Sequence, residues 1–426
     1  CYNDAAFTPQ DFRNICSIGS NSKLASASAI GRFGLGFNAV YHFTDMPSFV
    51  SGEHVVYFDP HAESLPGATP SNPGLKIKFA GAGYLEQFPD QFSPYCLFGC
   101  DMSKPFDGTL FRFPLRTPEA AATSKLRQEA YSADSVKNLL SQLHSRAAEL
   151  LLFVKSVRSI EVLVKSKDQP TPRLFFRAER QLPSGGAPTS GAIIKFVRGA
   201  GSTSKDSFYQ RLQSADASRL PRESATVRVT VTTGAEAAAL AHARALSSSA
   251  EPAGVAAENK REEEWLVCSS LGRDAPRICE MCLTREGRQL KLMPWGGAAA
   301  RLSVRISEAA PTDISDQAAS GAAAGQSEAS WSAVRGQAFC FLPLPAETGL
   351  PIHANGYFEL SANRRDIWYG TDMMGAGRLR SDWNCALLVD VVAPSYAQLL
   401  LNARTCAPTR RQFYELWPQQ RMAEPW

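Results

Sequence analysis

The hydrophobic and polar positions change their spacing along the chain, and each spacing predicts a different element. In the first 118 residues, short hydrophobic runs separated by turn residues predict strands. The clearest candidates are Val55–Phe58, Leu75–Phe79 and Leu110–Leu115. From Ser135 to Val154, leucines and alanines recur every three or four residues, which predicts an amphipathic helix with Asp134 as its N-cap. The alternating run Ile160–Val164 then predicts another strand.

Two later stretches lack this patterning. Residues 234–262 and 308–334 are biased towards Ala, Ser and Gly and contain few large apolar side chains. Such segments bury too little surface to offset the entropy of ordering, so we expect exposed loop insertions, although the first could also be a frayed Ala-rich helix. Glu264–Ser269, which lies between them, predicts a strand. A chain of 426 residues is also long enough for more than one core, so we expect one α/β domain over 1–168 and another over 169–426.

Composition narrows the classes of partner. The net charge of +4 is small for this length, and without a dense Lys/Arg run it argues against nucleic acid. No apolar run reaches the roughly 18 residues of a membrane helix, so we expect no membrane partner. The ten cysteines are scattered, and the pair Cys279 and Cys282 lacks a second pair of zinc ligands. These thiols suit a reducing compartment, and we expect a cytoplasmic location.

The sharpest motif is the segment IGRFGLGFNAVYH at 30–42. Its glycines, Gly31, Gly34 and Gly36, form a GxxGxG pattern, which is neither the Rossmann order nor a Walker loop. Glycines allow close backbone approach and positive φ, and the residues after Gly36 can start a helix whose free N–H groups hold phosphate oxygens. A glycine-rich turn that only packs tightly is the alternative interpretation.

The same segment resembles the second glycine box of the GHKL superfamily, which contains gyrases, heat-shock chaperones, histidine kinases and MutL proteins. The closest resemblance is to the ninety-kilodalton heat-shock chaperones, in which this box closes over the ATP phosphates at the base of a mobile lid. Ser17–Ala29 is small and polar, as such a lid would be. Further along, Asp107-Gly108-Thr109 resembles the later Gly-Thr box, in which a Thr hydroxyl lies near the adenine.

A succession of six blocks narrows the resemblance to the sacsin family. In chain order the blocks are NAVYHFTDMPSFVSG (38–52), FDPHA (58–62), PG (66–67), TLFRFPLR (109–116), AELLLFVKSV (148–157) and FCFLPLPAETGLPIHANGYFELSANRRDIW (339–368). The resemblance implies a GHKL/Bergerat-type two-layer sandwich with a mixed sheet, followed by a second α/β domain similar to a chaperone middle domain. It also implies that the chain, which begins at Cys1 and not at Met, is cut short at its N-terminus.

The family's site residues can be placed on this sequence by the matching motifs. The resemblance implies a site for ATP with Mg²⁺, and the nucleotide-binding candidates it gives are Gly31, Arg32, Phe33, Gly34, Leu35, Gly36, Phe37 and Thr109. The first glycine box should supply an Asp for the adenine amino group. Here Tyr2 occupies that place, and Asn3 or Asp4 could substitute with a shift. The general-base Glu and the Mg²⁺-holding Asn would lie upstream of Cys1, and Arg365 is the nearest match to the Arg that reaches the γ-phosphate.

Several polar residues near these motifs favour structural roles. Asp45 precedes Pro47 and is placed to pin a turn, although a place in the nucleotide pocket is the alternative. Arg112 and Arg116 could meet phosphate, but fold-stabilising ion pairs are the favoured interpretation.

Two functions remain open from the sequence. The first is an ATP-binding chaperone-like module, a possible ATPase, that acts on polypeptide clients or co-chaperones. The second is a scaffold or interaction module whose ATP site is degenerate. The intact GRFGLGF favours the first function, and the altered first box favours the second.

Overall fold

The chain divides into two compact units. In the computed structural model the described residues are 1–15, 36–181, 191–199, 204–247, 259–308, 334–361, 365–370, 374–407 and 409–418. The first unit comprises Cys1–Leu24 with Gly31–Leu139, and the second comprises Ala25–Ile30 with Leu140–Trp426. Each unit has its own sheet, and each is described by itself.

The first unit is built on a five-stranded sheet in the order β1-β5-β2-β3-β4. Its strands are β1 (Tyr2–Asn3), β2 (Ser48–Gly52), β3 (His54–Phe58), β4 (Gly74–Lys78) and β5 (Phe106–Arg112). All the described pairings in this sheet are antiparallel. The helices of this part of the chain are α1 (Pro9–Ile15), α2 (Tyr84–Gln87), α3 (Pro89–Phe92), α4 (Pro118–Thr123) and α5 (Ala133–Ser145), with 3-10 turns at Phe37–His42 and Ser93–Tyr95.

Strand alternation gives this sheet two apolar faces. Val50 and Leu110 pack into a core that includes Phe92 from α3. Their neighbours Phe49 and Phe111 contact each other with ring centroids 5.2 Å apart, within a separate group of aromatic rings. Successive side chains on a strand point to opposite faces, so the two groups lie on opposite sides of the sheet.

The strands predicted in this region are confirmed, and most of their ends lie within one or two residues of the expectation. Three details of the expectation are wrong. The mixed sheet expected for the first domain is antiparallel over the described residues. The helix expected to run to Val154 ends at Ser145 and is followed by a separate 3-10 turn, Glu149–Leu151. Ser132, not Asp134, supplies the capping oxygen, which accepts from the Ser135 N–H at 3.1 Å.

The second unit is built on an eight-stranded mixed sheet in the order β12-β11-β13-β10-β9-β8-β7-β6. Its strands are β6 (Ser159–Val164), β7 (Arg173–Gln181), β8 (Arg222–Thr233), β9 (Asn259–Leu271), β10 (Trp295–Glu308), β11 (Gln337–Cys340), β12 (Leu342–Glu347) and β13 (His353–Gly356). Only the β11–β13 pairing is parallel among the described strands. Strand β6 pairs with β7, so the predicted domain boundary at 168 falls inside this unit.

Helices and short turns complete the second unit. They are α6 (Ala192–Arg198), α7 (Lys205–Ser214), α8 (Ala235–Ser247), α9 (Pro276–Leu283), α10 (Arg285–Gln289), α11 (Ala376–Leu387), α12 (Ala393–Cys406) and α13 (Arg410–Glu415), with a π-helical turn at Leu388–Val392 and a 3-10 turn at Ala217–Arg219. The described residues of the first biased stretch, 234–262, form α8 and the start of β9. The alternative of an Ala-rich helix is therefore the correct one for this stretch. Residues 309–333 of the second biased stretch lie outside the described residues, as does the expected lid at 17–29.

Small residues in β10 let a helical segment approach the sheet closely. A Cβ on Gly296 would lie 3.0 Å from Val391 and 3.1 Å from Val392, so a larger residue would push the π-helical turn away. The continuous helical segment Gly377–Cys406 is 30 residues long and, by length and composition, apolar enough to cross a membrane. The expectation that no segment is long and apolar enough to cross a membrane is therefore wrong. The core helix of a globular protein also has this length and composition, and Trp383 and Leu399 of this segment are buried in the unit.

Candidate nucleotide site

The glycine box lies only partly within the described residues. Gly31, Arg32, Phe33, Gly34 and Leu35 fall outside them, whereas Gly36 and Phe37 begin the 3-10 turn Phe37–His42. Gly36 has φ −59° and ψ −41°, which any residue adopts. Among the described residues, none has an atom within 4 Å of a Cβ placed on Gly36. The φ of Gly36 also shows that the expectation of a positive φ is wrong at this glycine.

Phe37 holds the end of this box against the sheet of the first unit. Its ring lies 5.0 Å from the Phe58 ring and 6.1 Å from the Phe111 ring, centroid to centroid. Aromatic pairs at these separations add stability beyond the area they bury. The turn that follows the box is therefore anchored to β3 and β5 by its first residue.

Buried polar contacts hold the same turn from its other end. The Arg116 side chain is fully buried, and its guanidinium donates to Asp45 Oδ1 from Nε at 2.9 Å and from Nη2 at 2.6 Å. It also donates to the main-chain carbonyls of Tyr41 at 2.7 Å and His42 at 3.1 Å. The ion pair favoured for Arg116 and the pinning role favoured for Asp45 are thus confirmed. The sequence alone did not show that the two residues bind each other.

Thr109 lies beside the first-box segment, although more than a hundred residues separate them in sequence. In the β1–β5 register, Asn3 is the partner of Thr109. The Thr109 hydroxyl donates to the Ala5 carbonyl at 2.7 Å and lies 3.0 Å from the Ser51 hydroxyl, and Thr109 is fully buried. Ser51 Oγ in turn accepts from the Phe7 N–H at 2.8 Å. This network ties the loop after β1 to the centre of the sheet.

The two candidates for the missing adenine-binding Asp are exposed. Asn3 Oδ1 accepts from the Ala5 N–H at 3.1 Å, which closes a local turn. Tyr2, which occupies the family position of that Asp, stacks on Phe98 with centroids 5.0 Å apart. The structure thus places Asn3 beside Thr109 across the β1–β5 pair, with Asp4 next to Asn3 in sequence. Tyr2 is committed to an aromatic contact.

Arg365 belongs to the second unit, where it is exposed beside the Leu360–Ile367 bridge. The segment Asp382-Trp383-Asn384 fixes the backbone of this region. Trp383 Nε1 donates to the Tyr357 carbonyl at 3.0 Å, and Asn384 Nδ2 donates to the Glu359 carbonyl at 2.8 Å. Asn384 Oδ1 also accepts from the Glu359 N–H at 2.8 Å. A buried Asn that binds both the N–H and the carbonyl of one residue fixes the position of that residue's backbone.

The described part of the chain contains no cluster of three or more His, Cys, Asp or Glu side chains placed to hold a metal ion. Cys279 is buried, and its burial raises the pKa of the thiol to about 11. A thiol with such a pKa is protonated at neutral pH and is a poor metal ligand or nucleophile.

Comparison with known proteins supports the family resemblance. A family model of the Sacsin domain matches residues 1–177. The chain is also 30% identical to human (Homo sapiens) Sacsin over 406 residues, which is 95% of this chain and 7% of that protein. The matched region is therefore a small part of its relative's length.

Proposed function

This chain contains a sacsin-family region, and from that premise we propose that it is an ATP-binding, chaperone-like module of a larger protein. In this proposal, nucleotide binds the first unit with Mg²⁺, and a nucleotide-dependent conformational change acts on polypeptide clients or co-chaperones. The observation that carries the proposal is the pairing of Asn3 with Thr109, since it brings the two segments assigned to adenine recognition side by side.

The contacts of the glycine box support the same location. Phe37 packs on Phe111, which lies two residues after Thr109 on β5. None of the described residues crowds Gly36, so a phosphate group has room to reach the main-chain N–H groups of Gly36 and Phe37. Exposed side-chain oxygens on Asn3 and Asp4 are the acceptors that an adenine amino group requires.

The second candidate function is a scaffold that uses no nucleotide, and a specific observation favours it. The Thr109 hydroxyl donates to the Ala5 carbonyl and is fully buried, so its hydrogen is already committed. The segment Tyr2–Phe7 also contains neither of the glycines that the resemblance implies for the family's first box. Under this alternative the same network serves only to hold β1 on the sheet.

Nucleotide titration of the 426-residue chain and of two matched variants separates these functions. Gly36→Val adds a β-branched side chain at Gly36, and we expect ADP affinity to fall by about tenfold or more because phosphate can no longer reach the backbone. Ala39→Val is the control, since it introduces a valine at another exposed position, in the turn that Gly36 precedes, and should leave affinity unchanged. Calorimetry measures affinity, and circular dichroism checks folding.

Each outcome of this titration decides the question. Equal ADP affinity in the parent chain and in a folded Gly36→Val variant would remove the glycine box from the site. No detectable ADP or ATP binding by the parent chain would favour the scaffold. We expect no measurable turnover, because the resemblance places the general-base Glu and the Mg²⁺-holding Asn before Cys1.

A further inference from the structure

The second unit contains a cavity of about 340 Å³ that none of the family motifs explains. Its walls combine apolar side chains, among them Trp295 and Phe341, with four cationic residues. The cations are Lys155, Arg158, Arg180 and Arg198. A volume of this size falls at the lower end of small-molecule sites, which combine apolar walls with a few polar groups.

Lys155 is a buried cation that has no hydrogen-bond partner among the described residues. The residue is only 9% exposed, and its Nζ lies 4.4 Å from the Trp295 ring centroid and 4.5 Å from that of Phe341. Within the described residues, this ammonium makes no hydrogen bond. Ring faces attract a cation but accept no conventional N–H hydrogen bond, so all three N–H groups remain available to a ligand.

The other cations add to the positive potential. Arg180 is partly buried and is held by donation from Nη1 to the carbonyls of Leu151 at 3.1 Å and Val154 at 3.2 Å, while its Nε has no partner in the described part of the chain. Arg158 and Arg198 are exposed. Among the described residues, none of the four cations forms an ion pair. Burial lowers the pKa of Lys155 to about 8, against an opposing effect of Cys340 and with a smaller lowering effect of Arg198.

The carboxylate that lines the cavity, Glu223, already has a structural partner. Its Oε1 accepts from the Ile193 N–H at 2.6 Å at the start of α6. Burial raises the pKa of Glu223. Among the described lining residues, the four cations therefore outnumber the one carboxylate.

We propose that this cavity binds a small organic phosphate, a phosphate monoester whose aromatic or aliphatic body packs against Trp295 and Phe341. A phosphate monoester carries a charge of about −1.5 to −2 at neutral pH and offers three acceptor oxygens. A carboxylate has one negative charge and two oxygens, so it compensates four cations less well. Guanidinium forks also match phosphate geometry.

Three probes applied to the 426-residue chain test the ligand class. Phenyl phosphate contains both recognised parts, inorganic phosphate lacks the apolar body, and benzoate replaces the phosphate by a carboxylate. We expect saturable binding of phenyl phosphate in calorimetry, with each of the other two probes at least about tenfold weaker. Absence of phenyl phosphate binding, or equal affinity for either of the other probes, would overturn the proposal.

Variants then locate the site. Lys155→Met should weaken phenyl phosphate binding at least about tenfold, whereas Lys165→Met, at an exposed position outside the cavity, should not. Arg198→Gln removes an exposed cation of the cavity. It tests the location of the site if Lys155→Met fails to fold. Unchanged affinity in Arg198→Gln and in a folded Lys155→Met would contradict the assignment. Gly36→Val should bind phenyl phosphate normally, and a loss there would place the ligand in the nucleotide site instead.

Discussion

At the scale of single residues, Arg116 shows how one side chain can organise a loop. Its fully buried guanidinium satisfies both a carboxylate and several main-chain carbonyls of the segment after the glycine box. A buried charge is costly to leave without its partner. The role of Arg116 is therefore to fix the path of the chain between Tyr41 and Asp45.

Replacing Arg116 with Met should destabilise the first unit by about 3–5 kcal/mol, because Asp45 and the carbonyl groups lose their donor. Arg112→Met is the control, since Arg112 is exposed and should cost less than about 1 kcal/mol. Urea unfolding gives the free energies, and hydrogen exchange of peptides covering Tyr41–Thr44 reports the local effect. Similar unfolding free energies for the two variants would show that the buried pair has no special role.

At the scale of elements, the alternation of apolar and polar residues predicted individual strands but not which strands pair with each other. Val55–Phe58 and Leu110–Leu115 could be predicted because apolar side chains recur at the strand period. The pairing of Tyr2 and Asn3 with β5 could not, since a two-residue strand has no measurable period. The same limit applies to Thr109. Its motif predicted it as a site residue, but nothing in the sequence predicted its hydrogen bond to the Ala5 carbonyl.

The helix after β5 illustrates a second limit. The apolar positions of α5 continue to Val154, yet the helix ends at Ser145. Beyond it, Ala147, Leu151 and Val154 pack into one core cluster without continuing the helix. The cavity around Lys155 was also missed. Its cations come from separated parts of the sequence, and the block AELLLFVKSV had suggested only family resemblance.

His144, in the last turn of α5, makes the docking of this helix sensitive to pH. Its Nε2 lies 2.9 Å from Thr233 Oγ1, and its ring packs 5.2 Å from that of Phe176. Burial, with a smaller contribution from Arg261, lowers the pKa of His144 to about 4. The unfolded chain takes up a proton near pH 6.5, so stability should fall as pH decreases from about 6.5 to about 4.

Comparison with His144→Gln isolates this contribution. The parent chain should lose on the order of 1–2 kcal/mol more than the variant between pH 7 and pH 4.5, after allowance for partial solvent screening of the ring. Urea unfolding at both pH values measures the difference. Parallel pH profiles for the two proteins would show that His144 does not titrate in this window.

At the scale of the whole molecule, the Ala/Ser/Gly-rich stretch between β10 and β11 remains a prediction from composition. Replacing residues 310–332 with a short Gly-Ser linker should change stability by no more than about 0.5 kcal/mol, and the melting temperature by only about 1–2 °C. Phe339→Ala, in the buried part of β11, should cost about 3–5 kcal/mol and shows that the assay is sensitive. A loss of similar size in the deletion variant would mean that the stretch packs into the core.

The strand order of the eight-stranded sheet also has a consequence for the path of folding. From β6 to β10 every strand pairs with its neighbour in sequence, but most of these pairings span long connections, as between Phe176 and Thr233 or Arg222 and Ser270. The parallel β11–β13 pairing joins residues that lie much closer in sequence, Ala338 and Ala354, so it closes a shorter loop at a lower entropic cost. We therefore expect the β11–β13 end of the sheet to form early, so that substitutions there slow folding more than substitutions in the β8–β9 pair do.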